Sequence, residues 1–262
     1  MIPYFQFTTI PLGPINIQVW GLFVALGILT AIMLGRQESK KRRLDVEIFT
    51  DLATTAVVGG LIGARLLYAL AYAPTLSLAD PLSILRVWEG GMSMFGGLLG
   101  GALASYFFVR RHSIDAVKYV DVCAYVLPLG YAISRIGCFL IHDHPGTLSS
   151  SFLAVQYPGG ARLDHGLLLM ITGFAIFALF YYLNSRNRTM ATGKPGHSFV
   201  ILFMLYYGVI RFFLDFYRAS DIASADARYF SLTPGQIVAL AFIIIGSAAL
   251  MRARPRLHAI LP

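Results

Sequence analysis

Charged residues are scarce in this sequence. Asp, Glu, Lys and Arg make up 13% of its 262 residues, whereas hydrophobic residues make up 57%. An average soluble domain is about 25% charged and about 45–50% apolar, so the composition excludes an ordinary soluble protein. The apolar residues come in blocks of about 20, the length that crosses roughly 30 Å of hydrocarbon as a helix. We therefore predict an all-α polytopic membrane protein whose helices form one bundle.

Cysteine is nearly absent, since the chain has only Cys123 and Cys138. Both fall in or near one predicted helix, where the helical rise separates them by roughly 22 Å. Bridged cysteines need Cα atoms within about 7 Å, so we expect no disulfide. This excludes a disulfide-stabilised scaffold.

Acidic residues are also few, with 13 Asp and Glu against 21 Lys and Arg and a net charge of +8. A basic excess can indicate a nucleic-acid partner, but here the basic residues lie in short loops between apolar blocks. Membrane topology explains that pattern, and we expect no nucleic-acid partner. The first eighteen residues contain no Lys or Arg, so the basic start of a cleavable signal peptide is missing. The first apolar block is expected to remain as a helix.

Seven apolar blocks predict about seven transmembrane helices in a single membrane domain, residues 1–262. The predicted spans are 17–35, 48–72, 93–109, 116–134, 165–183, 198–217 and 233–251. Loops on one side hold fourteen Lys and Arg, and loops on the other side hold five. Because basic residues accumulate on the cytoplasmic side, we expect the C-terminus inside and the N-terminus outside. Asp121, near the inner end of the fourth block, is expected to meet Lys118 or water.

Three features of the loops and termini can also be predicted. Residues 141–164 form an extracytoplasmic loop or small cap, with a strand at Phe152–Tyr157 and a turn at residues 158–160. Residues 82–88 suit a short amphipathic helix in the membrane interface. Thr233 can cap the seventh span, with Pro234 at the first helical position.

Two glycine clusters recur, at residues 59–63 in the second span and 96–101 in the third. Small residues four apart let helix backbones approach closely within a membrane. We favour close helix packing for both clusters. A substrate groove is a compatible alternative.

The stretch from Ser134 to Gly146 is the clearest candidate for chemistry, because it ends an apolar run and turns polar. A charged residue such as Arg135 at the edge of the hydrocarbon is a functional candidate by default. The alternative is an interfacial arginine that reaches the headgroups. Cys138, His142, Asp143 and His144 include residue types that bind zinc or copper, and Cys138 could be a nucleophile. Their spacing matches no structural zinc pattern, so we expect no metal and no cofactor.

Arg65 and Arg211 lie within predicted spans, and the predicted topology places them at the same outer depth as Arg135. Asp215 follows Arg211 by one helical turn. The guanidinium group binds phosphate through two parallel hydrogen bonds, so an anionic lipid headgroup fits three arginines with one nearby acid. Arg211 and Asp215 could instead form a structural ion pair.

The sequence resembles the prolipoprotein diacylglyceryl transferase family of bacterial inner-membrane enzymes over nearly its whole length. The resemblance rests on the strings Gln18–Leu22, Gly60–Leu66, Trp88–Ser93, Gly96–Leu98, Arg135–Gly137, Gly146, Ala154–Gly159 and Tyr207–Phe213. It implies transfer of the diacylglyceryl group of phosphatidylglycerol to the thiol of a conserved cysteine in a secreted preprotein. A thioether forms and glycerol phosphate is released. The implied partners are phosphatidylglycerol, the preprolipoprotein signal peptide and membrane lipid.

The chain departs from the family pattern in four places. Phe95 stands where the family usually has a histidine, and Cys138 where it usually has an asparagine. Trp20 replaces a common tyrosine, and Arg162-Leu163-Asp164 replaces Arg-His-Pro. The chain is therefore a divergent member in which the usual proton acceptor is missing.

The resemblance and the residues together predict two groups of site residues. The predicted catalytic residues are Arg135, Arg211, His142 and His144, with His142 or His144 as the base and Asp143 orienting it. The predicted substrate-binding residues are Arg65, Gly96, Gly97, Gly137, Cys138, Asp143, Gly146 and Asp215. Two alternatives remain: a diverged relative that binds an anionic lipid or transfers it to another acceptor, and a membrane transporter.

Overall fold

The computed structural model describes residues 1–13, 15–71, 80–86, 91–186, 198–222, 225 and 228–257. The described chain is dominated by seven long helices, as predicted. They are α1 (Val19–Lys41), α2 (Val46–Ala71), α3 (Met94–His112), α4 (Ala116–Ile141), α5 (His165–Arg186), α6 (Ser198–Leu214) and α7 (Pro234–Leu257). Six of them, all except α3, are long and apolar enough to cross a membrane. The protein is therefore an all-α polytopic membrane protein, and the membrane crossing of α3 stays a prediction.

Short strands complete the described structure. An N-terminal hairpin, which was not predicted, pairs β1 (Thr9–Leu12) with β2 (Ile15–Gln18). A three-stranded antiparallel sheet in the order β3-β5-β4 consists of β3 (Pro145–Leu148), β4 (Val155–Tyr157) and β5 (Gly160–Asp164). The predicted strand at residues 152–157 is shorter, because Phe152 lies in a turn and is 77% exposed.

The interfacial helix predicted over residues 82–88 is seen in part. A 3-10 helix covers Pro81–Leu85, and residues 87–90 lie outside the described part of the chain. The chain divides into two compact units, one formed by Met1–Gly35 with Val120–Pro262 and the other by Arg36–Tyr119. Each unit is described by itself.

In the unit of Arg36–Tyr119, α2 packs along α3 through the predicted glycine clusters. A Cβ atom added to Gly63 would lie 2.8 Å from the Gly100 Cα, a distance that side-chain carbons do not adopt. Ser93 caps α3, because its Oγ accepts a hydrogen bond from the Gly96 amide at 3.3 Å. The prediction of close helix packing is therefore confirmed.

In the other unit, α4 is the central element of the site. It runs to Ile141 rather than ending near residue 134, because no charged residue follows Arg135 until the turn at His142, which adopts a left-handed φ of 51°. Gly27 of α1 approaches the Gly130 carbonyl of α4 so closely that no Cβ would fit. Asp121 of α4 accepts a hydrogen bond from the Phe199 amide at 2.9 Å. This carboxylate therefore satisfies the start of α6, a role that was not predicted, and its contact with Lys118 or water stays a prediction.

Candidate functional site at the end of α4

The last two turns of α4 carry Arg135 and Cys138. The Arg135 guanidinium lies over the Tyr131 ring, 4.9 Å from its centroid, and Nη1 donates to the Cys138 Sγ at 3.4 Å. Its Nε is buried and makes no hydrogen bond within the described part of the chain. A buried donor without a partner is costly, so this arginine is arranged to receive an acceptor from a ligand.

Arg211 on α6 is held by Asp215, one turn further along the chain. Its Nη2 lies 3.2 Å from the Asp215 Oδ1, and the Asp215 side chain is fully buried. The Nη1 of Arg211 is buried and, among the described residues, has no hydrogen-bond partner. The ion pair that the spacing allowed is therefore present, and it leaves one donor of the arginine available.

The start of α7 fixes this ion pair from the other side. The Thr233 Oγ1 donates to the Asp215 Oδ2 at 2.6 Å and accepts from the Gln236 amide at 3.1 Å, while the Gln236 Oε1 accepts from the Thr233 amide at 2.9 Å. This reciprocal pattern is a capping box, and it confirms Thr233 as the cap and Pro234 as the first helical residue. A Cβ on Gly235 would lie 2.8 Å from the Arg211 Nη2, so only glycine fits there.

Two tyrosines lie near the arginines. The rings of Tyr131 and Tyr207 meet edge to face with centroids 5.6 Å apart. Tyr131 carries the Arg135 guanidinium on its face, and Tyr207 interacts electrostatically with both Arg135 and Arg211. The two guanidinium groups therefore belong to one cluster. One acid, Asp215, pairs with Arg211, and the cluster is suited to an anion.

His142 is enclosed and structural. Its Nδ1 lies 2.7 Å from the Asp164 Oδ2, and its side chain has no exposed surface. The Tyr157 hydroxyl donates to the same carboxylate oxygen at 2.5 Å, and burial followed by the Asp164 charge raises the pKa of Tyr157. The rings of Tyr4, Phe5 and Phe139 surround the imidazole. The carboxylate that orients His142 is thus Asp164, not the predicted Asp143.

His144 is placed differently and is about one-third exposed. Its Nδ1 lies 2.8 Å from the Asp143 backbone carbonyl, which can only accept, so Nδ1 carries the proton and Nε2 keeps the lone pair. Burial lowers the pKa of His144 and raises the pKa of Asp143. A neutral imidazole with an open lone pair can accept a proton or bind a metal.

Cys138, Asp143 and His144 form a compact cluster. Each offers one ligand atom, and these atoms lie within 4.8 Å of one another. Cys138 is 3% exposed, whereas Asp143 and His144 line a small cavity together with Arg218. The predicted neighbours Cys138, Asp143 and His144 therefore come together, and His142 does not join them.

The predicted glycines serve close backbone packing. A Cβ on Gly137 would lie 3.0 Å from the Phe23 Cβ, and one on Gly146 would lie 2.6 Å from the Tyr217 carbonyl oxygen. Gly96 meets the Gly63 carbonyl too closely for any side chain, whereas a Cβ on Gly97 would make an ordinary 3.6 Å contact with Ala64. These contacts explain three of the four glycines, and their roles in binding substrate stay predictions.

Arg65 lies on α2, in the unit of Arg36–Tyr119. It donates to the carbonyls of Ile84, Arg86 and Gly91, each at 3.0 Å. These bonds hold the segment that leads into α3, where Phe95 is 45% exposed. The predicted convergence of Arg65 with Arg135 and Arg211 stays a prediction.

Several site residues were not predicted from the sequence. Asp164 has two roles, since its Oδ1 also accepts from the Leu167 amide at 2.8 Å and so caps α5. An Asp three residues before an apolar helical run is a recognisable cap signal, but its pairing with His142 depends on the folded cap. Gln236, three residues after Thr233, completes a capping-box pattern that the sequence does contain.

Comparison with known proteins identifies the family. The prolipoprotein diacylglyceryl transferase family matches residues 8–252. Similar proteins named phosphatidylglycerol-prolipoprotein diacylglyceryl transferase come from Chromohalobacter salexigens (33% identical, covering 91% of this chain and 89% of the relative), Rickettsia conorii (30%, 94% and 95%) and Xanthomonas euvesicatoria (31%, 96% and 93%). The match includes residues of both units and all the predicted site residues. This chain therefore belongs to the prolipoprotein diacylglyceryl transferase family.

Proposed function

We propose that this protein transfers the diacylglyceryl group of phosphatidylglycerol to the lipobox cysteine thiol of preprolipoproteins. Its relatives carry the name of that activity over about nine-tenths of the chain. The family match favours this function over a transporter or a lipid-binding protein without chemistry. The protein acts in lipoprotein biosynthesis as a membrane transferase.

The observation that carries the proposal is the pair of buried, unpartnered guanidinium nitrogens. Arg135 Nε and Arg211 Nη1 lack partners within the described residues, and both arginines are neighbours of Tyr207. A phosphodiester offers oxygen acceptors and one negative charge, which suits two arginines of which Arg211 is paired with the buried Asp215. The headgroup phosphate of phosphatidylglycerol occupies this cluster.

The same arginines support the chemical step. The thiolate sulfur attacks the diacylglyceryl carbon that bears the phosphate ester, so a C–S bond forms and a C–O bond breaks. Glycerol phosphate leaves with the electron pair and gains negative charge. Donors fixed in a poorly solvated place stabilise that charge as it develops.

The thiol must lose a proton first, because its ordinary pKa is about 8.5. His144 is the better candidate for the base, since its Nε2 lone pair is available and its side chain is about one-third exposed. His142 has no exposed side-chain surface and is bonded to Asp164, so it positions the turn after α4. The substrate cysteine approaches His144 from the cavity that Asp143 and Arg218 line.

The protein resides in the bacterial plasma membrane as a multi-pass protein. The distribution of Lys and Arg supports an N-terminus outside and a C-terminus in the cytoplasm. This orientation places the end of α4 and the β3-β5-β4 sheet at the outer leaflet. The signal peptide of the preprolipoprotein enters laterally from the membrane, and the reaction requires no nucleic acid.

A reconstituted transfer assay tests the proposal. Purified protein in vesicles is incubated with a lipobox peptide and with either phosphatidylglycerol or phosphatidylethanolamine. We expect a peptide mass increase by one diacylglyceryl group with phosphatidylglycerol and none with a peptide whose cysteine is replaced by serine. Absence of transfer by a protein that also fails to restore mature lipoprotein in a bacterium depleted of its own transferase would refute the proposal.

A further inference from the structure

The cluster of Cys138, Asp143 and His144 has the composition of a zinc site. A thiolate, a carboxylate and an imidazole are all ligands of Zn²⁺, with bond lengths of about 2.0–2.3 Å. Such bonds place ligand atoms about 3.5 Å apart in a tetrahedron, and the three atoms here lie within 4.8 Å of one another. Because Asp143 and His144 are only about two-thirds buried, closing the remaining distance of about 1 Å needs only small side-chain rotations.

The hydrogen bonds around the cluster also suit a metal. A histidine ligand usually donates its other ring N–H to a carbonyl or carboxylate, which fixes the ring. His144 meets this condition, because its Nδ1 lies 2.8 Å from the Asp143 carbonyl oxygen. The Arg135 Nη1 donates to the Cys138 Sγ at 3.4 Å, a hydrogen bond that a metal-bound thiolate can also accept.

Charge and ligand number point to an open site. Zn²⁺ with one thiolate and one carboxylate is neutral, and three protein ligands leave a fourth position, as catalytic zinc sites do. Arg135 and Arg218 are both electrostatic neighbours of His144. These two positive charges disfavour a second cation beside the zinc ion, but they favour one more anionic zinc ligand, such as a second thiolate.

We propose that Cys138, Asp143 and His144 bind one zinc ion, whose fourth position takes the lipobox cysteine of the substrate as a thiolate. This inference rests on the proposed function, and it changes how the thiol is activated. Zinc deprotonates a coordinating thiol, so the proton passes to solvent and His144 acts as a ligand instead of a base. The zinc-bound sulfur then forms the C–S bond, the C–O bond breaks, and glycerol phosphate leaves with the electron pair.

Metal binding is tested first, without reference to activity. The full-length protein in detergent is stripped with a chelator, titrated with Zn²⁺ by calorimetry, and loaded in parallel with Co²⁺ as a spectroscopic probe. We expect one metal per chain and a sulfur-to-cobalt absorption band. We also expect that band to grow when a lipobox peptide with cysteine is added, but not with the serine peptide.

Matched variants locate the site. Cys138→Ser and Asp143→Asn remove one ligand each and should lower zinc affinity at least tenfold, whereas Cys123→Ser should leave it unchanged. Asp143 has a partly exposed side chain, so its variant tests the site even where Cys138→Ser fails to fold. Equal zinc affinity in the native protein and the Asp143→Asn variant would overturn the proposal.

Transfer activity separates this inference from the proposed function. At pH 7 a free thiol with a pKa of about 8.5 is only about 3% thiolate, so removing zinc should lower transfer roughly 30-fold and make it rise with pH up to about 9. Full activity without metal would overturn the zinc site and leave the transferase and a His144 base standing. A peptide-dependent cobalt band without any transfer would support the site and refute the transferase.

Discussion

At the scale of single residues, Arg135 and Arg211 combine a fixed position with an available donor. Each is anchored by one neighbour, the Tyr131 ring or the Asp215 carboxylate, and each buries a nitrogen that bonds no described residue. The anchor sets the direction of the planar guanidinium, and the nitrogens without a described partner are available to a ligand. The geometry of the guanidinium group should therefore matter for transfer as much as its charge.

This predicts that lysine cannot replace either arginine. Arg135→Lys and Arg211→Lys keep the positive charge but lose the paired donors, so we expect transfer to fall by about 10²–10³-fold. Kinetics with phosphatidylglycerol vesicles measure the loss. Arg110→Lys is the control, because Arg110 is exposed and donates a hydrogen bond to the Tyr106 hydroxyl within α3. Equal losses in all three variants would contradict the assignment.

The two histidines predict opposite results. His144→Gln should lower kcat by about 10²–10⁴-fold with little change in melting temperature, because the side chain is partly exposed. His142→Gln should mainly lower the melting temperature, since it leaves the buried Asp164 without its imidazole partner. Thermal unfolding in detergent and transfer kinetics, measured on the same samples, separate the two roles.

The pH profile gives an independent check on His144. Burial lowers its pKa below the ordinary value of about 6.5, so the imidazole keeps its lone pair as the medium becomes more acidic. We therefore expect the metal-free protein, in which His144 is the base, to show an acid limb of kcat below pH 6.5, and this limb should disappear in His144→Gln. An acid limb centred above pH 7 would exclude His144 as the group that titrates.

Prediction from the sequence succeeded for residues whose role depends only on their neighbours along the chain. An arginine in an apolar run is unusual wherever it occurs, so Arg135 and Arg211 could be recognised. The Arg211–Asp215 pair follows from helical spacing alone. By contrast, the partner of His142 is Asp164, 22 residues away, and the contact exists only because β5 returns to the end of α4. No pattern in the sequence predicts that β5 returns to the end of α4.

At the scale of helices, the seven apolar blocks predict the helices but not where each helix ends. Hydrophobicity locates the part of a helix that lies within the membrane. However, α1 continues to Lys41 and α4 to Ile141, because a helix can extend beyond the hydrocarbon layer. The hairpin of β1 and β2 was missed, since Pro11 and Gly13 interrupt the alternation that marks strands. The sheet in the cap was only partly predicted.

The packing of α2 on α3 leads to a matched pair of substitutions. Gly63→Ala would place a methyl group 2.8 Å from the Gly100 Cα, whereas Gly97→Ala would make an ordinary contact with Ala64. We expect Gly63→Ala to lower the melting temperature by several degrees and Gly97→Ala to leave it nearly unchanged. Similar melting temperatures for both variants would show that α2 and α3 can move apart without a loss of stability.

The connection from α6 to α7 predicts a role for a hydroxyl group. Thr233→Val removes both the cap of α7 and the hydrogen bond to the Asp215 Oδ2, which together should cost about 1–3 kcal/mol. Arg211 then loses its fixed carboxylate, so transfer should also fall. Thr233→Ser keeps the hydroxyl and should restore both properties in the unfolding and transfer assays.

At the scale of the whole molecule, the orientation depends on how many helices cross the membrane. Seven crossings place the termini on opposite sides, whereas six place them on the same side. The described helices include six with clear membrane character, and α3, which is 19 residues long and ends in Arg110, Arg111 and His112, is the seventh. At about 1.5 Å per residue, 19 residues span about 28 Å, which is close to the hydrocarbon thickness.

We therefore predict that the two termini lie on opposite sides. A fluorescent protein fused after Pro262 should fluoresce in the cytoplasm, because basic residues predominate on that side. A single cysteine placed near the N-terminus of a variant without Cys123 and Cys138 should react with an impermeant maleimide in intact spheroplasts. If the N-terminal cysteine is protected while the fusion fluoresces, both termini are inside. In that case α3 does not cross the membrane, because the remaining six spans alone return the chain to its starting side.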